Sequence, residues 1–475
     1  MGNVGLNFGS ATSGNGFDVA STVNQIVTNL QTVEAPWKTQ LTSLRSRDTA
    51  LSSLGNQLST LNTDLLALTD FQGTMASKVG SSSDTNVLQL SSANATSVAG
   101  THTVVVQNLA QTSSAASDAI GASDVLTGSI TFKIGTGDWQ TVEVGDSSTE
   151  ATLSGLSAAI NAAGLGVQAS VLTNADGAQR LSLVSRTPGA AGMITIADST
   201  NYPASPTTLA GANSGIGLST VQKGMDAVMT VDGVEVTSAS NTVTNAIPGV
   251  TFQLLSTGAI NSSSGTTGPE SVQVIIANDT TSIETAVIKF VSDFNTIIKS
   301  INSQEGKDSS GNPEPLYGTS VLSQLQQGLQ SALNMRFGNE TINSLISLGI
   351  TATATADGTI SLNVDTLSNA LDSNFSQVLS FFQDMNMFGS TFRNTLDNLG
   401  TSSSKGGAIA LALREDQGQE KTLNDNVERQ EALIATQKEH LTAELNLANQ
   451  ILQSIPQQIQ QVDEMYSAIT GYKSK

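Results

Sequence analysis

The stretch Leu51–Leu68, LSSLGNQLSTLNTDLLAL, places leucine at alternating intervals of three and four residues. This spacing is the heptad pattern of a helix that buries one narrow stripe against another helix. The next two hundred residues have the period of β-strands, so we expect the partner helix to lie elsewhere in the chain.

A second heptad seam near the C-terminus is the candidate partner, because apolar residues return at every seventh position from Val427 to Ile469. Its intervening seam positions include Gln430, Gln437 and Glu444, so this seam is incomplete on its own. We therefore predict an antiparallel coiled-coil stem formed by both chain termini, with Leu51–Leu61 packed against the C-terminal seam. The predicted stem core residues are Leu44, Leu51, Leu54, Leu58, Leu61, Leu65, Val427, Ile434 and Leu441.

An amphipathic helix precedes the leucine stretch, because apolar residues recur at steps of three and four from Val19 to Leu44. Asp18 is a candidate N-cap. Pro36 predicts a kink or a break in this helix, and Pro456 predicts a second break in the C-terminal rod. We interpret the outermost helix as an assembly surface for neighbouring subunits, with candidate residues Val19, Val23, Ile26, Leu30, Pro36 and Trp37.

Between about residues 79 and 279 the apolar period changes from helical to two. Asp232-Gly233 predicts a hairpin turn, because both residue types tolerate positive φ angles. A hairpin–helix–hairpin block over about 130–198 interrupts this region and predicts one β-rich domain inserted in another.

The predicted fold is α+β and multidomain, with an antiparallel helical stem and two nested β-rich head domains. The predicted parts are terminal helical segments 1–43 and 440–475, a helical stem with a small β-hairpin at 44–78 and 280–439, a β-rich head domain at 79–125 and 216–279, and an inserted β-rich head domain at 126–215.

The composition argues against several function classes. The 475 residues carry a net charge of −20, which disfavours nucleic acid and anionic membranes as partners. The chain has no cysteine and only two histidines, without a nucleophile or metal-ligand motif. We therefore predict no catalytic, cofactor-binding or metal-binding residue and no cofactor, and we do not expect an enzyme.

The opening residues lack a basic region followed by an apolar run, and no stretch of about 18 apolar residues occurs. We expect either a cytosolic protein or one exported without a cleaved signal.

Several segments resemble the hook-associated protein 2 family of bacterial flagellar filament caps. GFDVASTVNQIVTNLQTVEAPWKTQL, at 16–41, is similar to the family's opening helix, and GTHTVVVQNLAQ, at 100–111, is similar to the strand that enters its head region. The most specific match is VDGVEVTSASNTVTNAIPGVTFQLL, at 231–255, which contains Asn241, Pro248 and Gly249.

The resemblance implies export through the flagellum's own channel and an extracellular location at the distal filament tip. Family members form rings, commonly of five, in which paired terminal helices make legs and β-rich heads cover the channel exit. The implied function is to cap the filament and to promote the folding and insertion of exported flagellin. The implied partners are further copies of the chain, flagellin, the hook–filament junction protein and a dedicated export chaperone.

Three other functions compete with the cap. A surface adhesin or glycan-binding protein, with a host mucin or glycan as partner, would use the β-rich tips, and Trp139 is its candidate contact residue. A secreted enzyme would need a cluster of acids or a histidine site. A junction protein or flagellin would explain the terminal helices, but it would explain the segment from Asn241 to Thr251 less well than a cap does.

Overall fold

The computed structural model describes residues 16–145, 147, 149–211, 214–258, 269–355 and 357–471. It contains two compact units, one made of Met1–Asp70 with Glu284–Lys475 and the other of Phe71–Ile283. The first 15 residues of the predicted terminal segment 1–43 lie outside the described residues, as do the last four of the segment 440–475.

The α-helices in the described part of the chain are α1 (Val19–Gln31), α2 (Ala35–Thr69), α3 (Leu153–Ala163), α4 (Thr280–Gln304), α5 (Ser320–Leu333), α6 (Val364–Gln383), α7 (Phe388–Leu399) and α8 (Ala408–Thr470). Short 3-10 helices lie at Thr74–Ala76, Ala190–Gly192, Leu345–Leu348 and Ser403–Lys405. No helix among the described residues is both long enough and apolar enough to cross a bilayer.

The strands are β1 (Lys78–Ser82), β2 (Leu88–Ala93), β3 (Gly100–Asn108), β4 (Ser114–Ser117), β5 (Ser129–Ile134), β6 (Gln140–Glu143), β7 (Val167–Thr173), β8 (Gln179–Ser185), β9 (Ile194–Ile196), β10 (Leu218–Gln222), β11 (Ala227–Val231), β12 (Val234–Ser238), β13 (Thr242–Thr244), β14 (Val250–Leu254), β15 (Ser271–Asn278), β16 (Ile350–Ala352) and β17 (Ile360–Leu362). The pairs between these strands are antiparallel, as expected for strands joined by hairpins and meanders.

The predicted break near Pro36 is confirmed. Helix α1 ends at Gln31, and α2 begins at Ala35 with the proline in its first turn, where a missing N–H costs little. Asp18 caps α1 by accepting a hydrogen bond from the Ser21 N–H at 3.0 Å.

The predicted break at Pro456 is wrong, because α8 runs through it as one helix of 63 residues. A proline within a helix removes one N–H donor, and here only the Leu452 carbonyl loses its partner. That part of α8 is partly exposed, so water can satisfy the carbonyl.

The helical unit has an aromatic core that the sequence did not reveal. Phe388 opens α7, and its ring centroid lies 5.1–6.4 Å from four other buried rings, with stacked and edge-on geometries. These rings belong to α4, α6 and α7, and they are Phe290, Phe381, Phe382 and Phe392. The cluster ties three helices together beside α2.

The other unit holds two β-rich lobes, each with its own core. The first lobe contains a five-stranded sheet, β1-β15-β3-β11-β12, and a three-stranded sheet, β13-β14-β2. The second lobe contains the sheets β10-β4-β8-β7 and β6-β5-β9, with α3 packed against them. The predicted nesting therefore corresponds to two separate clusters of buried apolar side chains.

Strand pairing gives the second lobe wider limits than the predicted 126–215. Strand β4 pairs with both β8 and β10, so Ser114–Ser117 and Leu218–Gln222 join its sheet. Ala115 is also part of its buried cluster. The predicted limits, 79–125 and 216–279, placed these short and weakly apolar strands in the first head domain.

Candidate assembly surface and family motif

Helices α1 and α8 pack side by side through one apolar cluster. Val19, Val23, Val27 and Ile434 are buried in it, and Leu441 is partly buried against it. The Phe17 N–H also donates a hydrogen bond of 2.8 Å to Asn449 Oδ1. This bond joins the residues just before α1 to α8. The predicted outermost helix is therefore packed on the C-terminal helix within a single chain.

Two ion pairs fix the register between α2 and α8. Lys38 Nζ lies 2.9 Å from Glu431 Oε1, and Arg47 Nη2 lies 3.1 Å from Asp416 Oδ1. Residue numbers fall along α8 as they rise along α2, so the two helices are antiparallel, as predicted. Further along α2, a Cβ on Gly55 would lie 3.7 Å from Ile409 Cγ2.

This register contradicts the predicted pairing of Leu51–Leu61 with Val427, Ile434 and Leu441. Leu54 lies at the level of Ile409, whereas Ile434 packs on α1. Leu58 instead lines a small groove with Leu396 of α7. The prediction failed because a heptad identifies a buried stripe but not the partner or the register.

The predicted stem leucines are nevertheless all buried: Leu44, Leu51, Leu54, Leu58, Leu61 and Leu65. Val427 is buried as well. Pro36 is exposed at the start of α2, and Trp37 is half-buried.

Ile26 and Leu30 of α1 line an open groove of about 480 Å³, together with His440 and Leu441 of α8. Beyond this groove α8 carries a row of exposed apolar side chains, which we call the tail stripe: Ile451, Ile459, Val462, Met465, Tyr466 and Ile469. At about 100° per residue, the tail stripe falls on the face of α8 that also carries His440. The groove and the tail stripe therefore form one continuous face.

The predicted motif residue Asn241 holds the connection between the two β-rich lobes. Its Oδ1 accepts from the Ala110 N–H at 2.7 Å, and its Nδ2 donates to the Ala110 carbonyl at 3.0 Å. Ala110 lies between β3 of the first lobe and β4 of the second. Asp226 makes a contact where the chain returns from the second lobe to the first, between β10 and β11. Its Oδ1 accepts a hydrogen bond of 2.7 Å from the Ala190 N–H.

Gly249 has a φ of +74°, the left-handed region that favours glycine. A Cβ here would lie 2.5 Å from Asn94 Oδ1 and 2.6 Å from Thr96 Oγ1. Pro248 precedes it in an exposed turn that leads into β14. The motif residues Asn241, Pro248 and Gly249 thus restrict the backbone and side-chain positions of the first lobe.

Two further asparagines make the same paired contact, and the sequence reasoning missed both. Asn161 of α3 bonds to the N–H and carbonyl of Ala169, each at 2.8 Å. Asn295 of α4 bonds in the same way to Ile360 of β17, each at 2.8 Å. In the sequence, each of these asparagines is a polar amide next to the apolar stripe of a helix, and this pattern could have indicated the contact.

The histidines and Trp139 have structural contacts. The His102 Nδ1 lies 2.7 Å from Asp232 Oδ2 at the β11–β12 turn, and this contact holds the pKa of the Asp232 carboxyl below its ordinary value. His440 Nδ1 lies 3.5 Å from Glu444 on the surface of α8. Trp139 stacks on Tyr202 with ring centroids 4.8 Å apart. Among the described residues, no three acidic or histidine side chains form a metal site.

The profile for the N-terminus of flagellar hook-associated protein 2 matches residues 15–113, and the profile for its C-terminus matches 224–469, more than half of the chain. The chain belongs to the flagellar hook-associated protein 2 family. The interval between the matches, 114–223, corresponds to the second lobe from β4 to β10.

Curated members of the hook-associated protein 2 family are similar over most of the chain. The B-type flagellar hook-associated protein 2 of Pseudomonas aeruginosa is 29% identical over 371 residues, which cover 74% of each chain. The flagellar hook-associated protein 2 of Escherichia coli K12 is 26% identical over 389 residues, which cover 77% of this chain and 78% of the relative.

A solved member has the same fold. The crystal structure of the D1-D2-D3 domains of the flagellar cap protein FliD from Escherichia coli superimposes with a TM-score of 0.53 at 24% identity. It covers 78% of this chain and 99% of the solved one. The mixed helical and antiparallel architecture is therefore that of the hook-associated protein 2 family.

Proposed function

We propose that this protein caps the distal end of the flagellar filament as a ring of identical chains and promotes the folding and insertion of exported flagellin. The family membership supports a flagellar role. The observation that carries the proposal is the continuous apolar face formed by the α1–α8 groove and the tail stripe.

The tail stripe is unusual for a water-exposed helix. Its side chains are between 42% and 84% exposed, and they lie on one face rather than singly. Contiguous exposed apolar surface marks an interaction site in soluble proteins. A helix of a neighbouring chain or of the filament could cover this face in the manner of a coiled coil.

The proposed partners follow from the family. Further copies of the chain and flagellin are the first, and the hook–filament junction protein and an export chaperone are further candidates. Export through the flagellar channel to the filament tip is part of the same proposal.

The test is complementation of a strain that lacks this gene. The triple variant Ile451→Ser, Val462→Ser and Met465→Ser should leave few filaments and release monomeric flagellin into the medium. A matched control on the opposite face, Gln457→Ser, Gln460→Ser and Glu464→Ser, should restore filaments. Normal filaments with the stripe variant would refute the proposed role of this face.

The adhesin alternative has no support from the comparisons. Its candidate residue, Trp139, packs on Tyr202. In the complemented strains, intact filaments with lost surface attachment would favour an adhesin over a cap.

A further inference from the structure

A group of charged side chains lies in the contact between α2 and α8, two turns after the start of α8. Asp416 is fully buried, and its carboxylate oxygens accept no hydrogen bond of good geometry from any described residue. One oxygen of Asp48 and one of Glu420 are likewise buried without a hydrogen-bond donor among the described residues. Three carboxyl groups thus lie in a region that few hydrogen-bond donors reach.

Arg47 is the cation of this group. Its Nη2 lies 3.1 Å from Asp416 Oδ1, while its Nε is buried without a described partner. With all three carboxyl groups ionised and one guanidinium present, the group carries two net negative charges. Glu415, next in sequence to Asp416, adds to this repulsion. Partly buried like charges of this kind oppose close packing of the two helices.

The carboxyl groups of Asp48 and Asp416 lie within hydrogen-bonding reach of each other. Two ionised carboxylates cannot share a hydrogen bond, because both are acceptors. A single proton placed between them supplies the missing donor and removes one negative charge. This geometry resembles that of other carboxyl pairs that hold one proton.

We propose that Arg47, Asp48, Asp416 and Glu420 form a proton-responsive clasp, which fastens the start of α8 to α2 more firmly in mildly acidic medium than at neutral pH.

The electrostatic environment agrees with this assignment. Burial, and then the charges of Asp416 and Glu420, raises the pKa of Asp48 from 3.8 to about 6. Burial also raises the pKa of Asp416, against the opposing effect of Arg47. Since the pKa of Asp48 is higher in the folded state, the stabilisation is complete below about pH 4 and is lost as the pH rises through about 6.

Among the described residues, the charged groups that shift the pKa values of Asp48 and Asp416 belong to α2 and α8. Helix α7, which packs on both of these helices, carries Arg393 and Asp397, and Asp397 pairs with Lys405. Helix α5, which also packs on α8, carries no charged residue. On the α4 side, the groove beside Ser46 and Thr49 is lined by Ser300, Ser303 and Gln304. The charged groups that face the clasp are therefore Arg47 and Asp48 from α2 and Glu415, Asp416 and Glu420 from α8.

The test is hydrogen exchange of the full chain at pH 5.0 and 7.5, followed on peptides of α2 and α8 that cover the clasp and corrected for intrinsic exchange rates. With a pKa of about 6, protection should be up to about tenfold higher at pH 5.0 than at pH 7.5. In Asp48→Asn, the ratio of protection at pH 5.0 to protection at pH 7.5 should fall to about one. At pH 7.5 the same peptides should be protected at least as well as in the native chain.

Asp416→Asn provides a second variant in case one amide substitution disturbs folding. The control is Asp425→Asn, an exposed carboxylate of α8 that pairs with Lys421 at 3.0 Å, and it should keep the native ratio. A native ratio near one, or a ratio that survives in both clasp variants, would overturn the proposal. A change of equal size in peptides from the β-rich lobes would also overturn it, because the effect would then be global.

Discussion

Asn241 and Ala110 are 131 residues apart in sequence and are joined by two hydrogen bonds, of 2.7 Å and 3.0 Å. The amide of Asn241 thereby replaces a neighbouring strand for Ala110, whose N–H and carbonyl would otherwise need other partners. One side chain satisfies the backbone at the point where the chain passes from one β-rich lobe to the next.

Substitution of Asn241 by alanine should destabilise the first lobe by about 1–3 kcal/mol, because both backbone groups of Ala110 lose their partners. Thr244→Ala, at an exposed position of the adjacent strand, is the control and should change stability by less than about 0.5 kcal/mol. Urea unfolding followed by circular dichroism measures both. Equal effects of the two substitutions would show that the paired contact contributes little.

Gly249→Ala should be more destabilising than Gly233→Ala. Both glycines have positive φ, +74° and +84°, so both variants carry a similar backbone cost of about 1 kcal/mol. Only at Gly249 would the new Cβ also meet the side chains of Asn94 and Thr96, since no described atom lies within 4 Å of a Cβ at Gly233. Thermal unfolding of the two variants should separate the steric from the conformational effect, and a smaller loss for Gly249→Ala would contradict the structure.

Ile434→Ala should destabilise the terminal helices by about 2–4 kcal/mol, because Ile434 is only 5% exposed and packs on α1. The adjacent residue Leu433 is 58% exposed, so Leu433→Ala should cost less than about 1 kcal/mol.

Double variants test the observed register. Val23→Ala and Ile434→Ala share one cluster and should couple, whereas Leu54→Ala and Ile434→Ala should add within about 0.5 kcal/mol. If Leu54→Ala and Ile434→Ala coupled and the first pair did not, the helix pairing predicted from the sequence would be correct. Urea unfolding of the single and double variants provides the four free energies of each cycle.

The Asp357 turn between β16 and β17 should respond to acid. Hydrogen bonds from the Thr359 hydroxyl and N–H lower the pKa of Asp357 from 3.8 to about 2. The stabilisation is therefore present above about pH 4 and is lost as the pH falls through about 2. Asp357→Asn should be less stable than the native chain at pH 5 and should lose this difference near pH 2. An exposed aspartate of α6, Asp372, is the control site, and a difference that does not change with pH would contradict this assignment.

The sequence predicted the buried stripe of α2 well, because each leucine from Leu44 to Leu65 faces the interior as its heptad position requires. It also predicted the Asp232-Gly233 turn, whose φ angles of +51° and +84° are both positive. These features depend on local periodicity and local backbone preference, which a single sequence displays directly.

Features that depend on distant contacts were missed. The register of α2 on α8 is set by pairs such as Arg47 with Asp416, which no local pattern identifies. Helix α7 has its apolar residues organised around Phe388, and that cluster exists only after three helices meet. The paired contacts of Asn161 and Asn295 likewise join an amide to a distant strand.

The uninterrupted path of α8 has a mechanical consequence. A helix of 63 residues is about 95 Å long, so a small rotation at its first turns becomes a large displacement at its far end. Its resistance to bending is lowest where the Leu452 carbonyl has no N–H to hold it, four residues before Pro456. The tail stripe lies around and beyond this point. The apolar face can thus follow a curved or moving surface while the part of α8 that packs on α1 stays fixed.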